Sequence, residues 1–285
     1  MNKPAVISTV VDLRAALAPW RRAGETIALV PTMGALHAGH ISLAQLAKRK
    51  ARRAVASVFV NPTQFAPHED FAKYPRTFEA DLERLTAAGI DAVFSPTPHV
   101  MYPAGFATTV SLEGPAKAGL EDRFRPTHFA GVATVVAKLL VQSAADFAIF
   151  GEKDFQQLAV IRQMAKDLDL PVEIVGAPTV RETDGLAMSS RNVYLDTEER
   201  RRAPLLHATL QDLARRIAAG EEVEAVLANG RQALADAGFV LDYLELRDAA
   251  SLAAVAKPLT QPLRLLVAAK LGKTRLIDNI AVSLS

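Results

Sequence analysis

Two histidines three residues apart, His37 and His40, follow the apolar run Ile27-Ala-Leu-Val30 and a Pro-Thr-Met-Gly lead. Imidazoles at a helix start are suited to hydrogen-bond an anion, because free backbone amides and the helix dipole already favour negative charge there. Lys153 stands in Gly151-Glu-Lys-Asp154, at a second strand-to-helix turn, where an ammonium can reach a polyphosphate as a point charge. Ser189, Ser190 and Arg191 put two hydroxyls and a guanidinium in a row on one loop. Gln64 lies just past the apolar strand Ala54–Val60, where open α/β sheets bind ligands, and Gln156 and Gln157 lie on the first helical turn after Lys153. The set reads as phosphate chemistry, with Gln64 a candidate for substrate contact and either Gln156 or Gln157 able to face the cleft.

Each feature also has a plainer account. Gly34 and Gly39 could be ordinary turn glycines and the histidines surface residues. Glu-Lys-Asp is commonly a solvated charge run, and Ser and Asn cluster at caps and turns. Asn61 and Gln64 could serve only loop backbone groups. A zinc site is disfavoured, since the chain has no cysteine and no acid close to the histidines in sequence. Neither a P-loop nor a dinucleotide fingerprint occurs.

The elements that must position these residues are readable from hydrophobic spacing. A helix spans Val10 to Ala23, with Leu13, Leu17 and Trp20 as its apolar stripe. The strand–loop–helix unit around His37 follows, with Ile41, Leu43, Leu46 and Ala47 at helical spacing and Lys48, Arg49 and Lys50 in the last turn. Phe78 to Ala88 reads as a helix and Ala92-Val-Phe94 as a strand. Residues 97–126, rich in proline, glycine and charge, read as an extended, partly mobile connection. Thr127 is expected to cap an apolar helix from Val132 to Val141, with His128 left open. Phe147-Ala-Ile-Phe150 and Val172-Glu-Ile-Val175 are further strands. From Thr197 the pattern predicts one long helix carrying Leu206, Leu210, Leu213 and Ile217, then a second from Val223 to Ala237, then three strands. The expectation is an α/β domain over 1–185 and a smaller α+β domain over 186–285. The hinge falls between Gly185 and Thr197, placing the Ser-Ser-Arg loop at the junction.

Composition bounds the partners. The 285 residues carry a formal net charge of +2 and are 50% hydrophobic, which argues against a dedicated nucleic-acid binder while leaving room for a local basic pocket. Zero cysteines fit a reducing cytoplasm, and neither a signal-peptide pattern nor an apolar run of membrane-spanning length is expected.

The stretch Pro31-Thr-Met-Gly-Ala-Leu-His-Ala-Gly-His40 resembles the His-x-Gly-His signature of the nucleotidyltransferase superfamily. With Phe59-Val-Asn-Pro-Thr-Gln-Phe65, Tyr74-Pro-Arg76, Arg125-Pro-Thr-His-Phe-Ala-Gly131, Phe150-Gly-Glu-Lys-Asp-Phe-Gln-Gln157 and Gly185-Leu-Ala-Met-Ser-Ser-Arg191, it resembles the pantoate–β-alanine ligase family over nearly the whole chain. Asp242-Tyr-Leu-Glu-Leu-Arg247 and Leu276-Ile-Asp-Asn279 add family character in the smaller domain, while Phe155 stands where tyrosine is the commoner residue. The resemblance implies a Rossmann-like parallel-sheet domain that binds ATP and pantoate, with Mg²⁺ present. Pantoyl adenylate forms and pyrophosphate leaves; β-alanine then takes the acyl group and AMP departs. It further implies a cytoplasmic homodimer with small-molecule substrates and neither nucleic-acid nor membrane partners. The apolar strand Ala54–Val60 and its flanking loops are a plausible dimer contact.

By the same resemblance, His37, His40, Lys153, Ser189, Ser190 and Arg191 are the catalytic set. ATP contacts run over Met33, Gly34, Ala35, Leu36, His37, Ala38, Gly39 and His40, over Gly151, Glu152, Lys153 and Asp154, and over Val180, Met188, Ser189, Ser190 and Arg191. Gln64 and Gln157 hold pantoate, and β-alanine enters near Gln64. The metal's direct ligands are unassigned. Two other classes fit these residues less well. A nucleotidyltransferase that stops after moving AMP or CMP onto a phosphate would need anion donors in place of the two glutamines. A nucleotide sensor or RNA-associated module would not need Lys153 together with Ser189-Ser190-Arg191.

Overall fold

Strands buried on both faces read as unbroken apolar runs, and such runs build parallel sheets covered by helices. In the computed structural model, which describes residues 3–66, 71–256 and 259–283, six of them form one sheet. They are β1 (Ala5–Ile7), β2 (Ile27–Thr32), β3 (Arg53–Val58), β4 (Ala92–Phe94), β5 (Phe147–Gly151) and β6 (Glu173–Ala177). Their order is β1-β4-β3-β2-β5-β6 and every pairing is parallel. Helices α1 (Val10–Arg22), α6 (His128–Ser143) and α7 (Phe155–Asp167) cover one face through Leu13, Leu17, Val136 and Leu158. Helices α2 (Ala38–Lys50) and α3 (Phe78–Ala87) cover the other through Leu43, Ala47, Leu82 and Leu85. Between α3 and α6 lie the short α4 (Pro98–Met101) and α5 (Glu121–Phe124). From β2 the chain turns to β3 on one side and later to β5 on the other. The crevice past the C-terminal ends of β2 and β5 is therefore the switch point, where such sheets bind ligands. The Rossmann-like expectation holds.

After α8 (Thr197–Arg202), helices α9 (Leu205–Ala218) and α10 (Val223–Asp236) pack on an antiparallel sheet of β7 (Phe239–Asp248), β8 (Leu263–Leu271) and β9 (Thr274–Val282). Leu206, Leu210, Leu213 and Ile217 form the buried stripe of α9.

Several details differ from the sequence expectation. The single long helix from Thr197 is broken at Pro204, which has no N–H to continue the ladder, so the apolar stripe belongs to α9 alone. Residues 97–126 are not an extended connection. They hold α4, a 3₁₀ turn at Gly114–Lys117 and α5, anchored by buried Met101, Ala116 and Leu120. Gln156 fixes this segment by accepting from the Glu121 amide and donating to the Pro115 carbonyl and Asp122, each at 2.9 Å. Helix α6 starts at His128 rather than Val132, and Thr127, though it precedes the helix, makes no side-chain cap bond. Strand β3 lies between β2 and β4 with Ala54, Val55 and Ala56 wholly buried within the chain, which leaves the strand's end and its flanking loops for the expected contact. Among the described residues no helix is long and apolar enough to cross a membrane.

Candidate active site

The loop after β2 is built to aim two imidazoles. Gly34 and Ala35 have φ of +83° and +51°, a region that a residue with a side chain occupies only when its surroundings hold it there. Asp81 on α3, 1% exposed, supplies that hold by accepting from the Ala35 and Leu36 amides at 2.8 Å each. His37 then caps α2. Its Nδ1 accepts from the Gly39 amide at 3.1 Å, and His40 Nδ1 accepts from the His37 amide at 3.3 Å. With each Nδ1 an acceptor, the neutral tautomer of both rings carries its proton on Nε2 as a donor. Burial, then the Lys153 charge, lowers the His37 pKa to about 4. Burial, then His37 and Lys153, lowers that of His40 to about 3. Both are neutral donors at pH 7. At Gly39 a Cβ would meet the His37 ring at 2.8 Å, so glycine is what lets that ring fold back over the helix start.

Lys153 sits in one 3₁₀ turn, Glu152–Asp154, between β5 and α7, and pairs with no carboxylate among the described residues. Its neighbour Glu152 faces away, to Arg264 on β8 at 3.2 Å. The Arg264 guanidinium also lies 4.1 Å over the ring of Phe155, a stacking surface that needs no phenol.

Gln64 ends the turn Pro62–Gln64. Asn61, 1% exposed, ties that turn down by donating to the Gly131 carbonyl and to Gln64 Oε1, each at 3.2 Å. The Gln64 amide nitrogen lies 2.9 Å from Met33 Sδ. Its backbone carbonyl accepts from His128 Nδ1 at 2.9 Å and from Arg125 at 3.3 Å, which gives the open His128 a role in positioning. On the far side Ser189 caps the turn Ser190–Tyr194 by accepting from the Arg191 amide, and Ser190 Oγ meets the Tyr74 hydroxyl at 3.4 Å. Ser189 is thus both a cap and a cavity residue.

These elements enclose a cavity of about 230 Å³ past the C-terminal ends of β2 and β5. Met33, His37, Gly39, His40, Gln64, Gly151, Lys153, Asp154, Gln157, Val180, Met188, Ser189, Ser190 and Arg191 all line it. Gly34, Ala35, Leu36, Ala38 and Glu152 do not; the first three shape the loop, with Leu36 a core residue, and Ala38 opens α2. Val132, Val135, Val136 and Leu139 of α6 give the cavity an apolar wall. A larger space of about 600 Å³ adjoins it, shares Arg125, His128, Lys153, Gln157 and Arg191, and extends to Lys270, Lys273 and Arg275 of the C-terminal sheet. Asp81 and Arg125 are positioning groups that the sequence does not mark, since the loop amides and the Gln64 carbonyl they hold lie far away in sequence.

Among the described residues no group of three or more His, Asp or Glu could hold a metal by itself, and Asp154 is the one carboxylate lining the smaller cavity. Cationic and neutral donors facing one another across an apolar-walled pocket can bind a polyphosphate beside a small hydroxy acid and stabilise charge on the phosphate.

The pantoate-beta-alanine ligase family profile matches residues 5–281. The chain belongs to that family. It is 59% identical to a pantothenate synthetase of Rhodopseudomonas palustris over 99% of this chain and 100% of the relative. Pantothenate synthetase 2 of Bradyrhizobium diazoefficiens is 60% identical, over 99% of both. In three dimensions the pantothenate synthetase of Thermus thermophilus superposes with a TM-score of 0.92 at 47% identity, over 98% of this chain and 99% of that one. The pantoate-beta-alanine ligase of Francisella tularensis, solved with beta-gamma ATP and beta-alanine, superposes with a TM-score of 0.82 at 30% identity and 99% of both chains.

Proposed function

We propose that the protein condenses pantoate with β-alanine at the expense of ATP, through a pantoyl-adenylate intermediate. The observation that carries this reading is the meeting of two neutral amides, Gln64 and Gln157, with Lys153, the histidine pair and the Ser189–Arg191 loop around one cavity. A carboxylate oxygen of pantoate attacks the α-phosphorus, the bond to the bridging oxygen breaks and pyrophosphate leaves. The β-alanine amine then attacks the acyl carbon, the bond from that carbon to the AMP oxygen breaks and the amine sheds a proton.

In this reading Gln64 and Gln157 bond the hydroxyl and carboxylate oxygens of pantoate, and the valines of α6 pack its methyl groups. The Nε2–H groups of His37 and His40, with Lys153 and the Ser189–Arg191 donors, take the charge that gathers on phosphate oxygens as pyrophosphate departs. Gly151, Asp154, Val180 and Met188 border the nucleotide, and Gly34, Ala35, Leu36 and Ala38 act on it only through the backbone. Magnesium fits this site as an ion carried mainly by the substrate's own phosphates, with Asp154 the available protein oxygen donor and charge neutralisation the chemistry it would supply. The same reading divides the chain into 1–185 and 186–285, which the place of Leu186 in the second core supports. It also takes the protein as a cytoplasmic homodimer; sedimentation as a stable monomer at micromolar concentration would remove the dimer.

The experiment follows the oxygen. With pantoate carrying heavy oxygen in its carboxylate, one labelled atom is expected in the AMP released on adding β-alanine. Release of ADP, or of unlabelled AMP, would overturn the reading.

A further inference from the structure

The motif Leu276-Ile-Asp-Asn279 lies on β9, at the edge of the C-terminal sheet. Asp278 and Asn279 are each 3% exposed, a place where an acid and an amide persist only when fully partnered. Their partners include the two loops of the phosphate site, and Asp278 also faces His207 Nδ1 of α9 at 3.5 Å. Asn279 Nδ2 donates to the carbonyl oxygens of Glu152 at 3.0 Å and Lys153 at 2.8 Å. Its Oδ1 accepts from Arg264 at 2.6 Å, and Arg264 holds the Glu152 carboxylate in turn. The turn Glu152–Asp154 has no side-chain cap of its own, so these bonds are its external restraint. Asp278 accepts both guanidinium nitrogens of Arg181, at 2.7 and 2.9 Å. Arg181 donates on to the Gly185 carbonyl and bridges to Ala187, closing the turn that delivers Ser189, Ser190 and Arg191.

We propose that Asp278 and Asn279 are positioning residues: Asn279 sets the reach of Lys153, and Asp278 sets that of the Ser189–Arg191 loop. The proposal rests on the function given above. A lysine has four rotatable bonds and aims reliably only if its backbone is fixed. A misplacement of about 1 Å at a reacting group costs on the order of 10²-fold in rate. Neighbouring residues on one strand, facing different loops, set the distance between the two halves of the phosphate clamp. The smaller domain thereby acts on the first chemical step with side chains that need not touch the substrate.

The test uses the full chain and reads each half-reaction under single turnover. Asn279→Asp keeps the acceptor for Arg264 and removes both donors to the Lys153 turn; Asn279→Ala removes all three bonds. Adenylate formation is expected to slow about 10–100-fold in either variant, with KM for pantoate and turnover of supplied pantoyl adenylate unchanged. In a Lys153→Ala background, Asn279→Asp should slow adenylation no further, because it acts through the missing group. Asp278→Asn should still slow it there, because it acts through the other loop. Thermal unfolding of each variant places every assay below its transition, so lost protein is not read as lost rate. Equal slowing of both half-reactions by Asn279→Asp, or its full effect in the Lys153→Ala background, would overturn the proposal. If the unaltered protein forms no adenylate at all, the functional reading falls, and the proposal with it.

Discussion

His37 and His40 meet their ligand as neutral donors because burial, the close pair of rings and Lys153 push their pKa values to about 4 and about 3. The sign of the pH dependence follows. The unfolded chain binds protons at these histidines near pH 6.5, whereas the folded chain does not until far lower. Their contribution to stability is present above pH ~6.5 and is lost as the pH falls from there through about 4 and then about 3. Urea unfolding across that range should show the decline, and a His37→Gln/His40→Gln double variant should flatten it. Bound phosphate favours the charged imidazole, so nucleotide binding at about pH 5 should take up protons; calorimetry in buffers of different ionisation heat measures this, and no uptake would place the phosphates elsewhere. Gln157→Ala leaves a substrate hydroxyl or carboxylate unpaired. It should raise KM for pantoate about 10–100-fold, from a buried polar cost of roughly 1–3 kcal/mol, with KM for ATP little changed. Equal loss for both substrates would contradict the assignment. Lys153→Ala should slow adenylate formation by about 10²–10³-fold and spare the reaction of supplied adenylate with β-alanine.

At the scale of elements, the sheet is legible because strands buried on both faces show as unbroken apolar runs, and the two strand–turn–helix units place His37 and Lys153 at the ends of adjacent strands β2 and β5. What was not legible is long-range contact. Gly131 lies inside α6, one residue before the start that apolar spacing gives, and the Gln64 turn packs against it. A Cβ there would come 2.3 Å from the Thr63 carbonyl oxygen. Gly131→Ala should therefore cost about 1–3 kcal/mol by overpacking and raise KM for pantoate, measured by denaturant unfolding and steady-state kinetics. An unchanged KM would show that the turn absorbs the shift. Asp81 is invisible for the same reason: nothing local tells that a helix acid will hold amides 45 and 46 residues away. Residues 97–126 read as loose because proline and glycine mark turns without saying that Leu120 and Gln156 anchor them.

Across the whole molecule, buried polar groups join the two domains. Glu121, at the foot of the segment that carries Arg125 and His128, accepts from Arg275 at 2.7 and 2.8 Å and from the Tyr243 hydroxyl at 2.9 Å. Burial alone would raise the Glu121 pKa, but bonds to Arg275 and the nearby Arg125 hold it below the usual carboxylate range, while burial and that carboxylate raise the Tyr243 pKa well above its ordinary value. Removing one partner of such a pair strands a buried charge, so Arg275→Met should destabilise by roughly 3–5 kcal/mol, read by denaturant unfolding. A loss under about 1 kcal/mol, the value of a solvated pair, would mean that water enters the junction.

The central claim is that this cleft activates the pantoate carboxylate before any amine is present. Exchange of labelled pyrophosphate into ATP, without β-alanine, tests it most directly. The account predicts exchange that depends on pantoate, that falls by about 10²–10³-fold with Lys153→Ala, and that an acid without pantoate's hydroxyls supports poorly. Exchange that proceeds without pantoate, or no exchange from protein that still makes the amide once β-alanine is added, would contradict it.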